Sequence, residues 1–211
     1  MALGFTTSNR DFLPIIKYDA RAGKFFKITR TQGEDGKWTT TQDEIASPIV
    51  AMNIADVEVG WLSFASGAPN FHMSHNRDGM PPRPSEDHKE AFRVLIKMSE
   101  KEGGEVRHFS HSAQCVLIAF DQLHDLFLEA PESKDMSKCP VIGVNRTEAI
   151  KGSQGSTNYA PVFQIVKWID RPAEFDDHPV QGVPKGDAAA AAWESKASEA
   201  AAPVDDEDVP F

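Results

Sequence analysis

Residues 113–127, AQCVLIAFDQLHDLF, carry a period that the rest of the chain lacks. Ala113, Val116, Leu117, Phe120, Leu123, His124 and Phe127 recur at spacings of three and four, which gathers them on one side of a helix. Ser112 stands in place as an N-cap and Pro131 closes the segment, so one amphipathic helix is expected between them. The flanking sequence reads as strand. Upstream, residues 24–31 (KFFKITRT) and 37–41 (KWTTT) enclose QGEDG as a hairpin. Residues 47–52 and 57–64 (VEVGWLSF) continue with β-branched and aromatic side chains, with Gly60 as the mark of a bulge. Residues 92–98 (FRVLIKM) and 105–109 (EVRHF) form a second hairpin around SEKEGG. Downstream, residues 140–147 (PVIGVNRT) and 160–170 (APVFQIVKWID) return to strand. Residues 67–84 collect Gly, Pro, Asn, Ser and His and read as one long loop.

Several strands, one helix and two more strands make a mainly β chain. That order fits a Greek-key β-barrel of the OB type, in which a helix sits between the third and fourth strands. Five strands suffice for such a barrel, so the surplus is expected as an added hairpin and loops. Residues 1–171 form this domain. After Asp170 the periodic apolar residues give way to Pro, Gly, Ala and acids, a composition that cannot offset the entropy of ordering. Residues 172–211 are therefore expected to be a flexible acidic tail. As a flexible coil, a tail of about 35 residues spans on the order of 30 to 35 Å.

The net charge of the 211 residues is -10, which argues against a nucleic-acid binder until it is divided along the chain. Residues 187–211 hold seven acids against Lys196, a net of -6, and leave -4 on the rest. Any contact with nucleic acid must then come from a local basic groove, not from the overall field. Cys115 and Cys139 are too few for a disulfide framework and sit among apolar residues, as reduced buried thiols do. No apolar run is long enough for a membrane span and no signal peptide opens the chain, so no membrane role is expected and the cytoplasm is the expected location.

The chain ends in Asp205, Asp206, Glu207, Asp208, Val209, Pro210 and Phe211. DEDVPF resembles the D-D-D-I-P-F ending of bacterial single-stranded-DNA-binding proteins, with Val209 in place of Ile and Glu207 in place of the middle Asp. The order of strands and helix, and the segment GSTNYAPVFQIVKWIDRP, look like a phage-encoded member of that class. The resemblance implies a protein that coats single-stranded DNA during replication, recombination or repair in the bacterial or phage-infected cell. It also implies that the terminal peptide docks on partner enzymes of those processes, and it leaves homo-oligomers open. The physics of such a peptide is readable. Phe211 offers a ring to an apolar pocket and a carboxylate to a basic neighbour, and Pro210 stiffens the approach. The four acids supply salt-sensitive attraction to a basic rim.

Binding of single strands needs aromatic platforms for bases and cations for phosphates on one surface. Residues 10–37 hold seven bases against four acids, a locally basic stretch in an acidic protein. In the first strand Phe25, Lys27 and Thr29 alternate with Phe26 and Ile28. Phe26 and Ile28 are assigned to the core here, leaving Phe25 and Lys27 for the ligand, and Arg30 of the same basic stretch is a further candidate. Trp38 across the hairpin, Trp61 with Phe64, Arg107 with Phe109, and Lys151 with Tyr159 are the other aromatic and cationic groupings. The loop KGSQGST lacks the GK[ST] ending of a phosphate loop and reads as a flexible connection between the last two strands.

An enzyme is the rival reading. His72 and His75 (HMSH), with His108 and His111 (HFSH), invite a metal-dependent nuclease. No CxxC or HExxH pattern accompanies them, and residues three apart on a strand point to opposite faces. No catalytic residue, metal ligand or cofactor is assigned, and an adaptor that binds no DNA is the remaining alternative.

Overall fold

A computed structural model of the chain describes residues 13–33, 36–152 and 155–178. The strands are β1 (Ile15–Asp19), β2 (Lys24–Gln32), β3 (Trp38–Ile45), β4 (Ile49–Met52), β5 (Glu58–Ser63) and β6 (Asn70–His75). They continue as β7 (Lys89–Met98), β8 (Val106–His111), β9 (Lys138–Lys151) and β10 (Thr157–Asp170), and the α-helix α1 (Gln114–Glu129) lies between β8 and β9.

All ten strands join one sheet, whose main path runs β10-β9-β4-β7-β8-β1-β2-β3, while β5 pairs with β7 and carries β6 outside it. Strands β4, β7 and β8 are successive antiparallel neighbours, a meander interrupted in the chain by β5 and β6, and β9 returns to lie beside β4. The path does not close through a strand ladder. The sheet curls nonetheless: the Tyr159 amide donates to the Ala20 carbonyl at 2.6 Å and the Tyr18 hydroxyl donates to the Tyr159 carbonyl at 2.8 Å. Strand β1, which the sequence did not reveal, fills the gap between the hairpin β2–β3 and the meander. It pairs antiparallel with β2 and parallel with β8.

Helix α1 closes one side of the curl. It buries Cys115, Val116, Phe120, Leu123 and Phe127. Phe120 stacks on Phe92 at 3.8 Å between centroids, and Phe127 sits 5.7 Å from Trp168. Each such side chain contributes about 1.5–3 kcal/mol through burial. Ser112 is not the cap. Ala113 holds the N-cap position without a side-chain bond, and the His111 ring turns the corner instead. Its Nδ1 accepts from the Ala113 amide at 2.9 Å while Nε2 donates to the Tyr18 carbonyl at 3.2 Å.

Two further expectations are corrected. The long loop at 67–84 contains β6, paired with β5 from Ser63 opposite Asn70 to Glu58 opposite His75. Gly60 allows this: a Cβ there would lie 2.2 Å from the His72 carbonyl oxygen, so the backbones approach too closely for any side chain. The folded body also outlasts the change in composition at Asp170. A 3-10 turn, Ala173–Asp177, buries Phe175 to 1% exposure in a second small core with Ala51, Leu95, Val106 and Cys139. Arg171 anchors this turn by pairing with Asp176 at 2.5 Å and with the buried Asp56 at 3.2 Å. The remaining tail positions, 179–211, lie outside the described residues. Cys115 and Cys139 are free and buried, and burial pushes the Cys139 thiol up to about 12. Among the described residues no helix is long and apolar enough to cross a membrane.

Candidate nucleic-acid interface

Strand alternation sorts the sheet into two faces. The inner face carries Phe92, Val94, Ile96 and Phe109 into the core shared with α1. On the outer face Leu95 stands opposite His108, Arg93 opposite Ser110, and Ile15 opposite His108. Continuing outward, Lys17 pairs with Phe26, Ile15 with Ile28, Arg30 with Thr40 and Gln32 with Trp38. Part of this face, over Leu95 and Val106, is covered by Phe175 and Leu13. Over β1–β2–β3 the face is open, with Ile15 44% and Trp38 58% exposed and Phe26 and Ile28 half-buried.

Two aromatic–cation pairs flank the covered zone. On β2–β3 the Arg30 guanidinium carbon lies 5.3 Å from the Trp38 ring centroid. On the other side, Arg93 sits 5.1 Å from the Phe71 ring and grips Glu58 with Nε at 2.5 Å and Nη2 at 2.8 Å. The two cations differ in availability. Arg93 is largely neutralised by the buried carboxylate, whereas Lys17 and Arg30 make no ion pair among the described residues. Between the pairs lies His108. Burial, then repulsion from Arg93, outweighs attraction to Glu58 and brings its imidazole down to about 4. It is neutral at physiological pH and adds no positive charge to the face.

The residues expected at the site divide three ways. Arg30 and Trp38 come together on the open outer face. Phe25, Arg107 and Phe109 do not: they are 6%, 0% and 2% exposed, and none offers a surface to a base or phosphate. The parity assumed for β2 is reversed, because Phe25 packs 4.5 Å from Tyr18 and 6.0 Å from Phe109, and Phe26 is left to the outer face. Lys27 shares the inner parity with Phe25 and donates to the Glu102 carbonyl at 3.4 Å. Arg107 is a bracket between strands. It donates to the carbonyls of Ile15 at 3.1 Å and Ile28 at 2.8 Å, to Thr29 Oγ1 at 3.1 Å, and to the Glu105 carboxylate.

Trp61, Phe64, Lys151 and Tyr159 lie on or beside other strands, β5, β9 and β10. Trp61 is on the helix side, its Nε1 donating to the Pro81 carbonyl at 2.7 Å and its ring 5.3 Å below Arg83. Phe64, just past β5, is 60% exposed, and Lys151 ends β9 in solvent. Tyr159 is half-buried, with Gly23 tucked beneath it at a φ of 68°. A side chain at Gly23 would be strained there and would press within 3.1 Å of the Tyr159 Cβ.

The sequence reading missed Phe26, Ile15, Phe71 and Arg93. Ile15 stood on an unrecognised strand and Phe71 inside a segment read as loop, so neither had a partner strand to place it. Among the described residues no group of three or more His, Cys, Asp or Glu is arranged to hold a metal ion. His75 instead lies 3.5 Å from Asp56. The terminal docking residues Asp205 to Phe211 lie outside the described residues. Comparison with known families, curated proteins and solved structures returns no match to this chain.

Proposed function

We propose that this chain is a non-catalytic single-stranded-DNA-binding protein. In this reading it is an OB-type barrel whose outer sheet face holds the strand and whose terminal peptide recruits partner enzymes of DNA replication, recombination or repair. The observation that carries the reading is the open sheet face on which Phe26, Ile15 and the Trp38–Arg30 pair lie beside Lys17. Flat apolar groups and cations interleaved on one surface are what a single strand requires, bases stacking while phosphates meet the charges. The order β9-β4-β7-β8, with α1 between β8 and β9, supports the barrel assignment, and the β1–β2–β3 and β5–β6 strands are then additions to it. The ending DEDVPF supports the recruitment role through its resemblance to the docking peptides of that class.

The acidic body sets a quantitative expectation. Lys17, Arg30 and the largely neutralised Arg93 engage about three phosphates at most, so the logarithm of affinity falls with the logarithm of salt at a slope no steeper than about -2. Oligo(dT) titrated into the full chain, with intrinsic tryptophan fluorescence as readout, tests this. Saturable quenching with that salt dependence supports the reading; its absence at low salt rejects it.

A further inference from the structure

Between α1 and the β5–β7 pair runs an open groove of about 480 Å³. Its floor includes Val59, Phe92 and Leu117, and its lips are Ile118 and Met80, 49% and 45% exposed. Glu90 and Asp121 line it, and neither lysine nor arginine does. The helix that forms one wall reads QCVLIAFDQLHDLFLE, with Asp121, Asp125 and Glu129 and no basic residue. His124, joined to Asn76 at 3.3 Å, brings no positive charge: burial holds its imidazole below the ordinary range despite the pull of Asp121 and Asp125.

Arg83 and Lys89 line the adjoining pocket, which shares Glu90. Glu90 and Asp121 nonetheless make no ion pair among the described residues, and an apolar trough edged by such carboxylates selects its occupant by charge. It repels phosphate, so a nucleic-acid strand does not lie there. It repels the acidic end of this chain, which carries Asp205, Asp206, Glu207 and Asp208. A second copy would bring the same acidic helix to face it. We propose that this groove docks a segment of a partner protein in which aliphatic or aromatic anchors are flanked by lysine and arginine. Because the groove is on the helix side of the sheet, docking there leaves the outer face open, and the proposal stands whether or not that face binds DNA.

The test uses the full chain with labelled Ile and Met methyls and a synthetic peptide of about four helical turns, Leu and Lys in helical register. Its control carries Glu in place of Lys. The expected result is a saturable shift of the Ile118 and Met80 methyl signals with the Lys peptide alone. Charge reversal by Glu90→Lys with Asp121→Lys should weaken that binding about tenfold or more, while oligo(dT) affinity changes less than about twofold. The proposal is overturned if those two methyls do not shift, if the Glu peptide shifts them equally, or if charge reversal has no effect. Movement of the same methyls with protein concentration alone, or on deletion of residues 179–211, would give the groove to a second copy or to the chain's own tail, and also overturn it.

Discussion

Phe25 and Phe26 are neighbours in the chain and belong to opposite sides of the sheet. Phe25 is 6% exposed, its ring 4.5 Å from Tyr18, whereas Phe26 stands opposite Lys17 on the outer face. The two substitutions to alanine should therefore separate stability from binding. Phe25→Ala should lower the unfolding free energy by about 3–5 kcal/mol in urea melts. Phe26→Ala should cost about 1 kcal/mol or less in stability, yet weaken oligo(dT) binding by about 1–3 kcal/mol. The reverse pattern would mean that the faces are misassigned.

That pair also marks how far the sequence could be read. The helix was legible because seven residues keep its period, and Val116, Phe120, Leu123 and Phe127 among them are buried. The strand β2 was not, because both of its parities begin with phenylalanine. Alternation alone cannot choose between Phe25-Lys27-Thr29 and Phe26-Ile28-Arg30; the choice is made by Tyr18 and Phe109, which arrive from β1 and β8. Arg107 misled for a related reason. A charged residue beside an aromatic one suggests a ligand surface, but here its donors are used by the Ile15 and Ile28 carbonyls, which no local pattern announces. Trp38 and Arg30 meet diagonally across the hairpin, Trp38 standing opposite Gln32 and Arg30 opposite Thr40.

Arg107→Met should therefore act on folding. It removes one partner from the Ile15 and Ile28 carbonyls, Thr29 and Glu105 at a fully buried position. Loss of about 3–5 kcal/mol is expected, seen as a lowered thermal midpoint. Thr29→Val deletes a single bond of that set and should cost about 1 kcal/mol. Equal effects of the two would argue against the bracket.

Acid should destabilise the protein before its carboxylates titrate. The folded-state value of His108, about 4, lies below the ordinary 6.5, so between those values the unfolded chain binds the extra proton. Its contribution is present above about pH 6.5, declines as pH falls, and is gone below about 4. Its size is on the order of 3 kcal/mol or less. His111 and His124 shift in the same direction, again chiefly through burial. Urea melts at pH 7 and pH 5 should show the decline, and His108→Gln should flatten it in part. An unchanged slope in that variant would place the effect elsewhere.

Gly60→Ala should disrupt the β5–β6 pairing, since the added methyl meets the His72 backbone. Faster amide exchange in β6, with β9 and β10 unaffected, is the expected readout. Preserved protection throughout β6 would show that the pairing accommodates the added methyl.

The central claim is that the outer face of β1–β2–β3 binds single-stranded DNA, and it is tested most directly by combining Phe26→Ala with Trp38→Ala. Anisotropy of labelled oligo(dT), at low salt and across a salt series, gives the affinity, with circular dichroism to confirm that the variant is folded. A fall of about 2–6 kcal/mol in binding free energy, with the salt slope retained, is the predicted result, because two stacking platforms are lost while Lys17 and Arg30 remain. A folded double variant that binds oligo(dT) as tightly as the parent would contradict it.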